Sequence, residues 1–346
     1  MDASVSPTLD YSVLYMFSDK LLTVIVPVYK VERYINKCLD SLIVSPDLMD
    51  KLEVIIVNDG TPDNSAEMSR EYVKRFPDTF RQIDKKNGGH GSAWNVGLKE
   101  ATGKYLRFLD SDDWLTNLPE FMGRLSNCDA DVVITRINRY YEDKKVSEES
   151  DCPKTIDTVL PISQIGPGEF SEYESIGDFW FSTYKTELLK PLYPLFLEGV
   201  SYDDSILFII PLLYAKDYIA YDMVLYNYLL GREGQSMALA VQRKKIPDRI
   251  KVLRQMCSYL NEGALKGKNG WLLEEIISKR RDILIGLIAS VKSYRLGSSY
   301  NAEFRSFNGI SDYQPQSKLY RRYKKLPFVL FFLIERIRDF TSRRNN

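Results

Sequence analysis

Residues 87–113 read NGGHGSAWNVGLKEATGKYLRFLDSDD, and this stretch decides the fold class. A glycine-rich opening leads into a run with helical spacing as far as Ala101. An apolar strand follows, Lys104–Leu109, and it ends in the acidic turn Asp110-Ser111-Asp112-Asp113. Glycines let a backbone approach a ligand closely, and a helix N-terminus favours anions. Two carboxylates at i and i+2 in a turn can converge on a hard cation or a ribose. Magnesium and manganese take oxygen ligands, commonly one or two carboxylates plus substrate phosphates. The competing interpretations are a solvated acidic turn for Asp110 and Asp112, and a plain helix start for Asn87–Gly97. An EF-hand is excluded, because its fifth position would be Trp114.

On the N-terminal side, 21–29 (LLTVIVPVY) and 52–57 (LEVIIV) are β-branched apolar runs suited to buried strands. Ile35, Leu39, Leu42 and Ile43 share one face of a predicted helix over 32–44. Asn58-Asp59-Gly60 ends the second strand. A helix over 64–76, with Met68, Tyr72, Val73 and Phe76 inward, and a short strand over 80–83 are expected next. Strands alternating with helices imply βαβ units and a mainly parallel sheet, whose ligands sit at the carboxyl ends of the strands. Asp59, Asp110 and Asp112 should therefore gather along one sheet edge. Beyond this region, 130–136 and 219–228 read as strands, 140–168 as a loop and 246–295 as helical. The stretch 297–317 reads as a polar linker and 318–341 as a basic, aromatic tail.

Composition removes several function classes. Forty-seven Lys and Arg balance 47 Asp and Glu, so no global basic field points to nucleic acid. Cys38, Cys128, Cys152 and Cys257 form no CxxC pair, which argues against a zinc site or a disulfide framework and for a reducing compartment. The single histidine, His90, excludes HExxH and multi-histidine zinc chemistry, and no GxSxG elbow is present. There is no Walker loop, and Pro27-Val28-Tyr29-Lys30 stands where a Rossmann fingerprint would follow the first strand. Residues 1–20 lack a secretory pattern and are expected to be a poorly ordered lead-in. No run of 18 apolar residues suggests a spanning helix.

Three further features carry chemistry. Tyr202-Asp203-Asp204 precedes an apolar run over 206–213, so Asp204 is either a general base or a helix cap. Arg232 lies in a glycine-flanked loop, where it clamps phosphate oxygens or is a surface arginine. Basic residues from Lys318 to Arg344 flank PFVLFFLI (327–334). That segment suits an interfacial helix on anionic lipid, or a terminal helix packed on the domain or against a second copy.

Taken in order, TVIVPVYKVERYINKCLDSL, EVIIVNDGTPDNS and NGGHGSAWNVGLKEATGKYLRFLDSDDW resemble the family 2 glycosyltransferases of GT-A fold. The likeness covers roughly residues 21–115 and is weaker through 202–204 and 226–236. It implies an α/β fold with a Rossmann-like, mostly parallel sheet flanked by helices. It further implies a nucleotide-sugar-binding half over 21–115, an acceptor-binding half over 116–240 and a helical extension over 241–346.

The resemblance also implies residue roles. Pro27 and Tyr29 would line the base and ribose pocket, and Asp59 would accept a hydrogen bond from a uracil-type base. Asn87, Gly89, His90 and Arg232 would serve the donor. Asp110 would contact the ribose and help place Mn2+ or Mg2+, Asp112 would bind the metal, and Asp113 would support it. Asp204, with Asp203 as the alternate, would be the catalytic base. The implied activity is inverting transfer of a hexose or N-acetylhexosamine from a UDP sugar to a glycan or lipid-linked acceptor. Such an enzyme would act in cell-surface polysaccharide synthesis, in the cytoplasm or on the inner face of the membrane, with an oligomer left open.

Two departures stand out. Trp94 replaces an arginine common in relatives, leaving a phosphate contact to Lys85, Lys86 or His90. Asp203-Asp204 replaces the commoner Glu-Asp. The alternatives are a non-catalytic nucleotide-sugar or glycan-binding protein of the same fold, or a sugar nucleotidyltransferase. The latter normally needs a glycine- and arginine-rich loop that PVYKVERY does not supply.

Overall fold

The computed structural model describes residues 19–150, 157–164, 180–207, 210–231, 239–261, 270–306 and 317–344. The expected lead-in falls largely outside these residues, as do Cys152 and Arg232. The chain begins β1 (Leu22–Val28), α1 (Ile35–Asp40), α2 (Pro46–Met49), β2 (Leu52–Asn58), α3 (Ser65–Arg75), β3 (Phe80–Asp84), α4 (His90–Glu100) and β4 (Tyr105–Phe108). Every residue of β1, β2 and β4 is buried, as expected for strands covered on both faces. β1 pairs in parallel with β2 and β4, and β2 with β3. The carboxyl ends of β2 and β4 therefore bring Asp59 and Asp110 to one edge.

The sheet continues without a break into the second half. After β5 (Trp114–Leu115) and α5 (Leu118–Ser126) come β6 (Val132–Tyr141), β7 (Val146–Glu149), β8 (Leu160–Pro161) and β9 (Ser182–Lys185). Then follow α6 (Thr186–Leu189), α7 (Ile210–Tyr214) and β10 (Asp217–Leu230). The order across the sheet is β3-β2-β1-β4-β9-β6-β10-β5. β9 runs antiparallel to both β4 and β6, whereas β10 runs parallel to β6. Register shifts between Tyr221 and Tyr226 bulge β10, and a bulge re-aims the side chains beyond it. α8 (Leu239–Lys244), α9 (Ile246–Asn261), α10 (Gly270–Ser290), α11 (Tyr294–Arg305), α12 (Lys318–Lys325) and α13 (Phe328–Arg344) complete a helical C-terminal region.

Several sequence expectations need correction. The helix over 32–44 is shorter, with α1 confined to Ile35–Asp40; the extended Ser45 (ψ 151°) before Pro46 separates it from a further turn, α2. The loop over 140–168 holds β7 and β8 among its described residues. The run over 206–213 divides into a 3-10 turn, Asp203–Ile206, and α7. The linker over 297–317 is wrong for its first part, which is the helix α11. Its inward face is made of Gly297, Asn301 and Phe304, and the small and polar members hid the period. Asn301 accepts a hydrogen bond from the Tyr323 hydroxyl at 2.6 Å, and the Ser293 side chain caps the helix.

α4 lies close against β1, and Gly97 makes this possible. A Cβ at Gly97 would lie 2.3 Å from Cγ2 of the buried Ile25. Gly97→Ala should gain about 1 kcal/mol in helix propensity but lose roughly 1–3 kcal/mol or more to overpacking. Net destabilisation is expected, read as a lower urea midpoint at unchanged slope. A midpoint at or above that of the unaltered chain would contradict the packing.

Candidate active site

The strand ends meet around a cavity of about 610 Å³ lined from both halves of the chain. On the first side, Asp59 is almost fully buried. Its Oδ1 accepts from Lys85 Nζ at 2.6 Å and from the Gly88 amide at 2.9 Å, and its Oδ2 accepts from the Gly89 amide at 2.8 Å. Asn87 Nδ2 donates to the Asp59 carbonyl at 2.9 Å. Asp59 thus shapes the glycine loop that opens α4. Gly89 caps that helix at φ +87°, a conformation that favours glycine. Lys85 is committed to Asp59, and of Lys85, Lys86 and His90 it is His90 that lines the cavity among the described residues. Pro27 and Tyr29 line the same side. Their loop is stitched to the one after β2, because Lys30 N donates to Thr61 Oγ1 and Val31 N to Ser65 Oγ.

The floor is the acidic turn. Carboxylate oxygens of Asp110, Asp112 and Asp113 lie within 4.8 Å of one another, with Asp110 and Asp112 half-buried on the cavity wall. His90 Nε2 is 3.0 Å from Asp110 Oδ1. Asp113 points the other way and is buried. It accepts from the Tyr226 hydroxyl at 2.5 Å and the Leu229 amide at 2.7 Å. The Tyr226 oxygen in turn accepts from the Asp110 amide at 3.2 Å. Burial, reinforced by the neighbouring Asp112 and Asp110, pushes the Asp113 carboxyl well above the usual range, and burial also pushes the Tyr226 hydroxyl up. The donor set is all oxygen and concentrates negative charge, which suits a hard divalent cation.

The opposite wall comes from later sequence. Asp204 lies in the 3-10 turn and lines the cavity beside Ser201 and Tyr202. Asp203 opens that turn. The wall is latched to the glycine loop: Gly199 N donates to the Gly88 carbonyl at 2.7 Å, and the Asn95 amide pairs with both backbone groups of Phe196, at 2.9 and 3.0 Å. From the helical region, Asp248 accepts from the Ser201 amide at 3.1 Å, and the Arg249 guanidinium lies 3.6 Å from the Tyr202 ring centre. Sequence reading assigned no role to Trp180 and Tyr228, which stack at 4.4 Å and line the cavity, or to Lys245 at its rim. It also missed Arg107, fully buried in β4, which donates to Thr183 Oγ1 at 2.8 Å and to the Trp180 carbonyl. Burial lowers the Arg107 pKa to about 10. An arginine inside the strand motif KYLRFL was the available signal. Trp94 is wholly buried against His90, Phe108 and Phe196, so it fills the space beneath the loop.

Residues 23–184 match the family model "Glycosyl transferase family 2". They form a family 2 glycosyltransferase domain. This domain is 44% identical over 97 residues to the "Uncharacterized glycosyltransferase EpsJ" of Bacillus subtilis (strain 168), covering 28% of this chain and 27% of that protein. It is 41% identical over 91 residues to the "Minor teichoic acid biosynthesis protein GgaB" of the same strain, covering 26% of this chain and 10% of that protein. The match thus spans about a quarter of the length of EpsJ, and less of GgaB. Among solved structures, S. aureus TarS 1–349 in complex with UDP superposes with a TM-score of 0.57 at 19% identity, over 84% of this chain and 89% of that one. That likeness is one of fold, and it extends the GT-A-type arrangement beyond the matched domain into the helical region.

The Tyr226 hydroxyl joins the family 2 domain to β10. Tyr226→Phe removes one donor from a buried carboxylate and the acceptor of the Asp110 amide. The loss should be about 1–3 kcal/mol, measured by urea unfolding. Unchanged stability would mean that Asp113 does not depend on this bond.

Proposed function

We propose that the chain is an inverting, metal-dependent glycosyltransferase. It would move a hexose or N-acetylhexosamine from a UDP sugar to a hydroxyl of a glycan or lipid-linked acceptor in cell-surface polysaccharide synthesis. The observation that carries this reading is the single cavity shared by Asp59, the Asp110/Asp112 pair and Asp204. Its volume falls in the ordinary range for a small-molecule site. Support for uridine comes from the fold neighbour TarS, whose structure holds UDP, and for a cell-surface polymer from the teichoic acid assignment of GgaB. The cytoplasm is the compartment where such donors and reduced thiols coexist.

Asp110 and Asp112 would hold Mn2+ or Mg2+. When bound, the ion supplies neutralising charge for the departing diphosphate. Pro27 and Tyr29 would flank the nucleoside, Asp59 would keep the glycine loop against it, and His90 would face the diphosphate in place of the missing arginine. Arg232, outside the described residues, would add a clamp on the diphosphate. Asp204 would take the proton of the acceptor hydroxyl. The new bond between acceptor oxygen and anomeric carbon forms as the bond to the diphosphate oxygen breaks, with inversion at that carbon. Trp180 and Tyr228 would exclude water from the acceptor side.

Calorimetry with uridine diphosphate should show binding that requires manganese or magnesium, and Asp112→Ala should abolish it. Asp204→Asn keeps the shape and removes the charge. It should preserve nucleotide affinity and lower transfer about 100- to 10,000-fold, whereas Asp203→Asn should lose much less. Transfer at the unaltered rate in Asp204→Asn would defeat the base assignment, and metal-independent binding in Asp112→Ala would defeat the metal assignment.

A further inference from the structure

The two C-terminal helices carry a surface that the cleft does not use. Over its first two turns α13 is apolar on every side. Phe328, Phe331 and Phe332 are buried, with Phe331 against Tyr323 at 5.3 Å and Phe332 against Tyr294 at 5.4 Å. Val329, Leu330, Leu333 and Ile334 fall between them and are exposed at 43, 48, 51 and 37%. At 100° per residue these four share the side opposite the phenylalanines. A helix packed on a domain normally turns a polar face outward, and this one turns four aliphatic side chains outward. Tyr294 and Leu296 at the start of α11 are exposed as well, and the Tyr294 ring lies 6.0 Å from Phe328. Exposed apolar side chains thus occur on both helices, and an exposed apolar patch marks an interaction site.

Charge selects the occupant. Residues 317–346 hold nine basic side chains and two acidic ones, although the chain as a whole is balanced at 47 of each. Lys318, Arg321, Lys324 and Lys325 are exposed on the outward side of α12, whose Tyr320 and Tyr323 turn inward. One of the two acids, Glu335, is already paired with Arg322 at 2.9 Å and Arg338 at 3.3 Å. A second copy of the chain seated here would bring two such basic segments together. An anionic surface would neutralise them. Among the described residues no helix is long and apolar enough to cross a membrane.

We propose that this surface docks on an anionic lipid bilayer. α13 lies in the plane of the interface with Val329, Leu330, Leu333 and Ile334 at the acyl boundary, and the basic side chains of α12 meet the headgroups. None of these residues lines the cleft, so this proposal and the transferase reading stand or fall separately.

The test uses the full chain sedimented with vesicles of phosphatidylcholine, with and without phosphatidylserine. Binding is expected to require phosphatidylserine and to weaken as salt rises. Leu330→Glu with Leu333→Glu should weaken it at least about tenfold. Lys318→Gln, Arg321→Gln and Lys325→Gln should each weaken it about fivefold. These positions are exposed, so an unchanged urea midpoint and unchanged metal-dependent nucleotide binding serve as fold controls. No sedimentation with phosphatidylserine vesicles would overturn the proposal. So would equal binding to neutral vesicles, or a lipid-free dimer by sedimentation velocity that Leu330→Glu with Leu333→Glu dissociates.

Discussion

A carboxylate without access to water holds the two halves of the sheet in register. Burying an acid costs several kcal/mol unless its oxygens find donors, and Asp113 finds them on β10, at Tyr226 and Leu229. Those partners lie more than a hundred residues away along the chain, so the bond is a constraint on tertiary structure. β10 cannot slide past the turn after β4 without stranding the acid. With β10 fixed, the bulge after Tyr221 fixes which residues face the cavity, and Tyr228 is brought to its wall. The same hydroxyl holds the Asp110 amide, so the turn that presents Asp110 and Asp112 is set by an interaction beneath it.

A second constraint of the same kind operates at the glycine loop. Two amides and an ammonium group converge on Asp59, and the backbone around Gly88 and Gly89 follows from that convergence. The asymmetry is instructive: four aspartates at or just past strand ends are chemically alike, yet Asp59 and Asp113 are almost fully buried among protein donors while Asp110 and Asp112 are half-buried on the cavity wall. Position relative to the sheet edge is common to all of them, and the supply of nearby donors separates them.

The first hundred or so residues were legible because their strands are buried on both faces and read as unbroken apolar runs, and because the turns between them carry glycine and aspartate at strand ends. The alternation alone put Asp59 and Asp110 on one edge. The remainder was harder for identifiable reasons. α11 packs through Gly297 and Asn301, so its inward face does not look hydrophobic. Trp180 enters the wall because Arg107 holds its carbonyl from inside the sheet, a relation between positions 73 residues apart that no local period reveals. The enclosure of Asp59 and Asp113 was likewise invisible, since sequence shows where a carboxylate stands but not how many donors surround it. Asp204 was found as a residue type before an apolar run. Its place opposite the acidic turn depends on the Asn95–Phe196 pairing, which has no sequence signature.

The direct bond between the Gly88 carbonyl and the Gly199 amide has a consequence for how the cleft responds to its ligands. The two loops it joins belong to opposite walls, and neither can shift far without breaking it or taking the other along. A molecule that displaces one loop on binding therefore alters the energy of filling the other side, and thermodynamic linkage requires the effect to be equal in both directions. The two walls behave as jaws of one clamp, so occupancy on one side is communicated to the other through this backbone bond and the Asn95–Phe196 pairing beside it.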